Sequence, residues 1–176
     1  MESQDPQGEQ TVDLSEGGSR RRWFSRRTDS TVTSTQSAVH LRPAPRDIPS
    51  TSAALDMARD WMRYFAFLDA GVSSGPENLI SSSRGLAYLE SDPRGVGTQK
   101  VMEGHRLATM AGKYCLVFSL GGFSAGAIRW ANKNATALFE FDEHGQVKPV
   151  SDTAKTLLGG SDRRHLARMA TEDLSD

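Results

Sequence analysis

The sequence predicts a mainly α fold: a small helical core domain, one short extended segment near residues 136–141, and a disordered N-terminal arm. Three observations carry this. Leu55, Ala58, Trp61, Met62, Phe65 and Leu68 recur at helical spacing. Residues 98–119 carry apolar side chains densely enough to read as one long helix. Residues 1–50 are rich in Ser, Thr, Gln, Gly and Arg and hold almost no aliphatic run.

The elements follow in order. Residues 1–50 form the arm and end in the Pro-punctuated RPAPRDIPS. A helix is predicted over 53–69, with Ser52 as N-cap and Gly71 as C-cap. Pro76 and Glu77 are helix-start signals, so a second helix is expected from there to about residue 90, on Leu79, Ile80, Leu86, Ala87 and Leu89. SDPRGVG at 91–97 is a turn or loop. Thr98 caps a third helix over 99–119, which Gly121-Gly122 ends. Residues 124–134 form a shorter helix. Ala137, Leu138, Phe139 and Phe141 make an extended segment, and His144-Gly145-Gln146 a turn. Two weak helices, 151–158 and 162–173, have short apolar faces and depend on docking. The expected organisation is thus an arm over 1–50, a helical core domain over 51–148, and a flexible or conditionally helical tail over 149–176.

Composition narrows the function classes. The 176 residues include 21 basic and 22 acidic ones, so local clusters must carry any argument for polyanion binding. The single cysteine, Cys115, cannot form an internal disulfide or build a zinc site, and its apolar surroundings predict a buried thiol. No segment reaches the roughly 18 apolar residues of a membrane span, and the N-terminus lacks the apolar core of a signal peptide. A cytoplasmic, non-secreted protein is therefore expected.

Catalytic constellations are not evident. The four histidines are scattered, and no Gly-x-Ser-x-Gly elbow occurs. LGGFSAG at 120–126 lacks the Gly-Lys-Ser/Thr of a P-loop and reads as a hinge. Glu140, Asp142 and Glu143 have no second acidic cluster to work with; a solvated turn, or an acid paired with a core arginine, is expected there. No enzyme, cofactor or metal is predicted. The clearest functional signal is basic. Arg20, Arg21, Arg22, Arg26 and Arg27 surround Trp23 and Phe24, which suits counterion release on phosphates and stacking on unpaired bases, the alternatives being a solubilising or membrane-surface basic tract or a nuclear import signal. In the core, Arg84, Arg94, Lys100, Arg106, Lys113, Arg129 and Lys133 line a groove if they converge.

Lys113-Tyr114-Cys115-Leu116-Val117-Phe118, then Trp130, then Ala135-Thr136-Ala137-Leu138-Phe139-Glu140-Phe141-Asp142-Glu143-His144-Gly145 resembles the C-terminal quarter of coat proteins from flexible filamentous plant RNA viruses. Gly126-Ala127-Ile128-Arg129 and Leu138-Phe139-Glu140-Phe141-Asp142 look like the related potyvirus-like run. The match covers under a quarter of the chain. The resemblance implies a mostly helical core with flexible arms, self-association into large oligomers, and single-stranded RNA in an inner basic groove, in a virion or the host cytoplasm. It implies RNA contacts at Arg106, Arg129 and Lys133 besides the arm arginines. It also implies an ion pair of a core arginine, Arg106 or Arg129, with Asp142, and anchoring by Trp61, Trp130, Phe139 and Phe141. The expected function is a non-enzymatic, RNA-packaging structural protein. The rival is an accessory adaptor that docks on other proteins through its arm and terminal helices.

Overall fold

The computed structural model describes residues 41–74 and 78–172. Among the described residues the order is α1 (Thr51–Tyr64), β1 (Gly71–Val72), β2 (Leu79–Ser81), β3 (Gly85–Glu90), α2 (Thr98–Met110), β4 (Tyr114–Ser119), α3 (Ala125–Lys133), β5 (Ala137–Phe141), β6 (Val147–Pro149) and α4 (Asp152–Glu172). The fold is therefore α/β, built on a six-stranded mixed sheet in the order β1-β2-β3-β4-β5-β6. This corrects the mainly α expectation, and with it the mostly helical core that the viral resemblance implied.

Strands β2, β3 and β4 lie where helices are expected, and the two longer ones show why. Residues 85–90 bury Gly85, Ala87 and Leu89 and leave Leu86, Tyr88 and Glu90 half-buried, a period of two. Leu86, Ala87 and Leu89 also fit helical spacing, which is why the run reads as a helix from sequence. Residues 114–119 bury every position after Tyr114. A strand covered on both faces has no period of either kind, so YCLVFS looks like the continuation of the helix before it. The break lies at Gly112, whose φ of +65° ends α2 and turns the chain into the sheet.

Strands β3, β4 and β5 run parallel; β2 and β6 flank them antiparallel. Helix α2 crosses from β3 to β4, and α3 from β4 to β5. Both share one apolar cluster with Val117 and Leu138, through Val101, Ala108, Ala127 and Ala131, so both cover the same face. The other face is covered by α1 and α4. There Trp61, Met57 and Met62 pack on Leu116, Phe118 and Phe139, all fully buried. Phe139 stacks between Phe65 at 4.8 Å and Phe118 at 5.3 Å. Each such ring contributes about 2–3 kcal/mol of burial, so this face is the thermodynamic centre of the fold.

Residues 41–50 and 150–172 make contacts with the core. The Arg46 amide donates to the His144 carbonyl at 2.9 Å, and the Arg42 guanidinium lies 5.6 Å from the Trp61 ring centroid. The true N-cap of α1 is Ser50, whose hydroxyl accepts from the Ala53 amide at 3.2 Å. The Trp61 indole donates to the Gly145 carbonyl at 3.0 Å. Only glycine suits that turn: φ is +70°, and a Cβ would stand 2.6 Å from the Met57 methyl. At the C-terminus one helix, α4, replaces the two weak ones expected, and buries Ala154 against the sheet with Leu157 and Leu158 beside it. Docking supplies what its sequence lacks. No helix among the described residues is long and apolar enough to cross a membrane.

Candidate nucleic-acid interface

The parallel strands give the sheet two unlike edges. At their N-terminal edge lies an open cleft of about 650 Å³, bounded by α4 and by the starts of β3, β4 and β5. Its wall on the β3 side is set by the turn before that strand. The Ser82 hydroxyl accepts from the Gly85 amide at 2.8 Å, which holds Arg84 at the tip. The Tyr114 amide then donates to the Arg84 carbonyl at 2.8 Å, so the two residues are fixed side by side. The Arg84 guanidinium sits 5.9 Å from the Phe67 ring centroid, and the Tyr114 ring meets Phe67 edge-on at 6.5 Å. Tyr114 is 65% exposed, an unusual state for an aromatic ring at the start of a central strand.

The opposite wall is α4, which carries Arg163 and Arg164. Their helix is tethered by the Tyr64 hydroxyl, which donates to Asp162 at 2.6 Å, and Ser161 is buried beneath. Burial, and then the hydrogen bond to Asp162, push the Tyr64 phenol up to about 12, so it remains a neutral donor. Arg164 donates to the Ser161 hydroxyl at 2.8 Å. None of Arg84, Arg163 and Arg164 is ion-paired among the described residues. The acid lining the cleft, Asp152, pairs instead with Lys155 at 3.0 Å. Three exposed arginines thus line one cleft with the exposed Tyr114, and Leu157 and Phe67 supply apolar wall. That arrangement can hold phosphates by charge-assisted bonds and stack an unpaired base. Cys115 also lines the cleft, and burial pushes its thiol up to about 12.

The C-terminal edge is closed. The loops 91–97 and 120–124 are joined by paired backbone bonds, Val96 amide to Gly122 carbonyl at 2.9 Å and Ser124 amide to Val96 carbonyl at 3.0 Å. Gly121 makes this fit possible, since a Cβ there would lie 2.3 Å from the Asp92 carbonyl oxygen. The charges are spent internally. Glu90 accepts from the Asp92 amide at 3.1 Å and pairs with Lys100. Asp92 binds Arg94 at 2.8 Å, and the side-chain bonds from that guanidinium hold its carboxyl down at about 2. Glu140 faces Lys148 at 4.0 Å.

The residues singled out from sequence fall in several places. Arg20, Arg21, Arg22, Arg26 and Arg27 lie outside the described residues. Arg106, Arg129 and Lys133 are exposed on α2 and α3, on the face away from the cleft. Asp142 has no ion pair with Arg106 or Arg129 among the described residues. It accepts instead from the amides of His144 at 2.9 Å and Gln146 at 2.8 Å, closing the β5–β6 turn. That corrects the expected pairing, because a short acid at a turn satisfies neighbouring amides before it reaches a distant side chain. Trp61 and Phe139 are fully buried and Phe141 is buried, while Trp130 is half-buried between α2 and α3. Of the cleft residues, sequence reasoning named Arg84 and missed Tyr114, Arg163 and Arg164. The adjacent arginine pair was a usable signal; Tyr114 was hidden by the helical reading of its strand. Compared with known protein families, curated proteins and solved structures, the chain matches none of them.

Proposed function

We propose that the chain is a non-enzymatic binding protein for single-stranded RNA, gripped in the cleft at the N-terminal edge of the parallel strands. The observation that carries this is that Arg84, Arg163 and Arg164, without carboxylate partners among the described residues, line one cleft with the exposed Tyr114. Phosphates position the strand on the arginines, and one base stacks on Tyr114. The arm arginines at 20–27 add sequence-independent attraction. A duplex, whose bases are already stacked, gains only the phosphate contacts.

The test is fluorescence anisotropy with a labelled oligouridine, a matched RNA duplex and a matched single-stranded DNA, at several salt concentrations. The expected order is single strand over duplex, with log affinity falling linearly in log salt. The chain lacking residues 1–40 keeps a measurable, weaker affinity. Equal affinity for duplex and single strand removes the stacking contribution, and no binding at low salt ends the proposal. The DNA arm shows whether the 2′-hydroxyl is read. Light scattering on the same samples reports self-association, expected to rise on RNA addition if the chain packages RNA.

A further inference from the structure

Helix α4 is fastened in two ways along its length. At its start the Ser151 hydroxyl accepts from the Leu138 amide at 2.9 Å and the Ala154 amide at 3.3 Å, and donates to the Thr136 carbonyl at 2.7 Å. The first turn is thereby tied to β5. The Asp152 amide donates to the Asn132 side-chain carbonyl at 2.9 Å. Ala154, Leu157 and Leu158 then pack into the apolar cluster on that face of the sheet. Among the described residues no apolar side chain of α4 beyond Leu158 joins it, and Leu166 is 65% exposed. The outer half rests on polar contacts instead. The Asp162 carboxylate accepts from the Tyr64 hydroxyl at 2.6 Å and lies 3.8 Å from the Arg42 guanidinium. His165 meets the Tyr64 ring edge-on at 6.2 Å. Arg163 and Arg164 ride on this half, both exposed.

Gly159 and Gly160 separate the two halves. After proline, glycine is the residue least suited to a helix interior, because it gives up the most backbone freedom there. Nothing in the packing asks for it. A Cβ at 159 would meet no atom within 4 Å, and one at 160 would make an ordinary contact of 3.6 Å with the flexible end of Arg164. Neither residue has a positive φ. Two alanines would fit and would strengthen the helix. The weakness lies between the docked half and the arginine-bearing half, and Gly160 itself lines the cleft. We infer that Gly159 and Gly160 are a hinge on which the outer half of α4 swings as a jaw of the cleft, with Asp162 as its latch to Tyr64 and Arg42. This rests on the RNA reading of the cleft. Without RNA the outer half exchanges between latched and released positions, and phosphates on Arg163 and Arg164 select the latched one. Affinity then scales with the latched fraction. In a helix without the glycines the docked half sets the direction of the outer half, and the latch becomes dispensable.

The test is amide hydrogen exchange on the full chain, alone and with oligouridine, with affinities measured in parallel. The variants are Tyr64→Phe, Gly159→Ala/Gly160→Ala and the three substitutions together. In the free parent, amides of 161–167 should exchange at least about tenfold faster than those of 155–158, and RNA should slow them by about tenfold or more. Tyr64→Phe should weaken oligouridine binding by about threefold or more, and the triple variant should return to within about twofold of the parent. Asp162→Asn, which weakens the same latch from the helix side, should repeat the loss and the rescue. Equal exchange in the two halves of the free chain overturns the inference, as does exchange at 161–167 that RNA leaves unchanged; the RNA reading survives both. A triple variant as weak as Tyr64→Phe also overturns it, since the hydroxyl then supports the fold and latches nothing. So does unchanged affinity in both latch variants. No binding by the parent ends the RNA reading and the jaw with it.

Discussion

The two ends of the parallel strands have opposite characters. In open α/β sheets ligands usually settle beyond the carboxyl ends of the strands, in the crevice where successive crossovers diverge to opposite sides. Here both crossovers run the same way, β3 to β4 to β5, so no such crevice forms. The carboxyl ends are instead sealed by the Val96–Phe123 bridge, and Glu90, Asp92 and Glu140 are each matched by a cation. The amino ends are open, and Arg84, Arg163 and Arg164 there have no matching acid among the described residues. The difference teaches that one sheet can spend its charges internally at one end and leave them unpaired at the other.

The largest expected effect tests the sealed end. Gly121→Ala places a methyl 2.3 Å from the Asp92 carbonyl oxygen and 2.7 Å from the Gly95 amide nitrogen, both backbone atoms that cannot swing away. The clasp must open, at a cost of more than about 3 kcal/mol, and the melting temperature should fall by about 6–12 °C. RNA affinity, measured well below that temperature, should be unchanged. A variant that stays stable shows that the loops are looser than their bonds indicate; one that folds yet loses RNA joins the two ends into one function.

Next come the cations of the open end. Arg163→Gln/Arg164→Gln should lower affinity for oligouridine by about tenfold or more and reduce the salt slope by about one per lost phosphate contact, with little change in melting temperature. The matching pair at the sealed end, Arg94→Gln/Lys100→Gln, should move affinity less than about twofold, because those cations are held by Asp92 and Glu90. Equal losses from both pairs would mean that RNA feels only net charge. Tyr114→Ala should then cost about 1–2 kcal/mol of binding, some five- to thirtyfold, whereas Tyr114→Phe keeps the ring and should be nearly silent. Parity between the two variants sinks the stacking contact.

How much of this could be read from sequence follows from which signals are local. Helix α3 is legible because Ser124 caps it and Ala127 and Ala131 repeat at its inner side. Strand β5 shows its Phe139–Phe141 alternation. Strands β3 and β4 do not announce themselves, since β4 is covered on both faces and its apolar run abuts a true helix. Their parallel pairing, Gly85 with Tyr114 through Glu90 with Ser119, is a contact across about 29 positions that no local pattern encodes. The cleft inherits that opacity. Arg84, Tyr114 and Arg163 meet only because β3, β4 and α4 do. Asp142 shows the converse. Its amide partners are two and four residues away, so the solvated turn, one of the two readings open for these acids, is the local one, and the arginine pair that the resemblance implied is the distant one.

The smallest effect separates the two ends by pH. Each has an aspartate, exposed Asp69 and half-buried Asp92, whose carboxyl is held below its ordinary value of 3.8, but by different means. Asp69, near the open end, is lowered chiefly by the Ser83 backbone amide at 2.7 Å. Asp92, in the clasp, is lowered to about 2, chiefly by the Arg94 guanidinium. A depressed folded-state value stabilises the fold at pH above the ordinary value, and that stability is lost as pH falls from about 4 towards 2. Denaturation midpoints across that range should therefore decline less steeply in Asp92→Asn and in Asp69→Asn than in the parent. Salt tells them apart. Between about 0.05 M and about 1 M, screening should shrink the part of the Asp92 contribution that comes from the Arg94 guanidinium, while the part from the Arg94 backbone amide and the contribution of Asp69, which rests chiefly on a backbone hydrogen bond, should persist. If salt acts equally on both, the Asp92–Arg94 pair is no more than a surface contact, and the clasp is held by its backbone bonds and the fit of Gly121 alone.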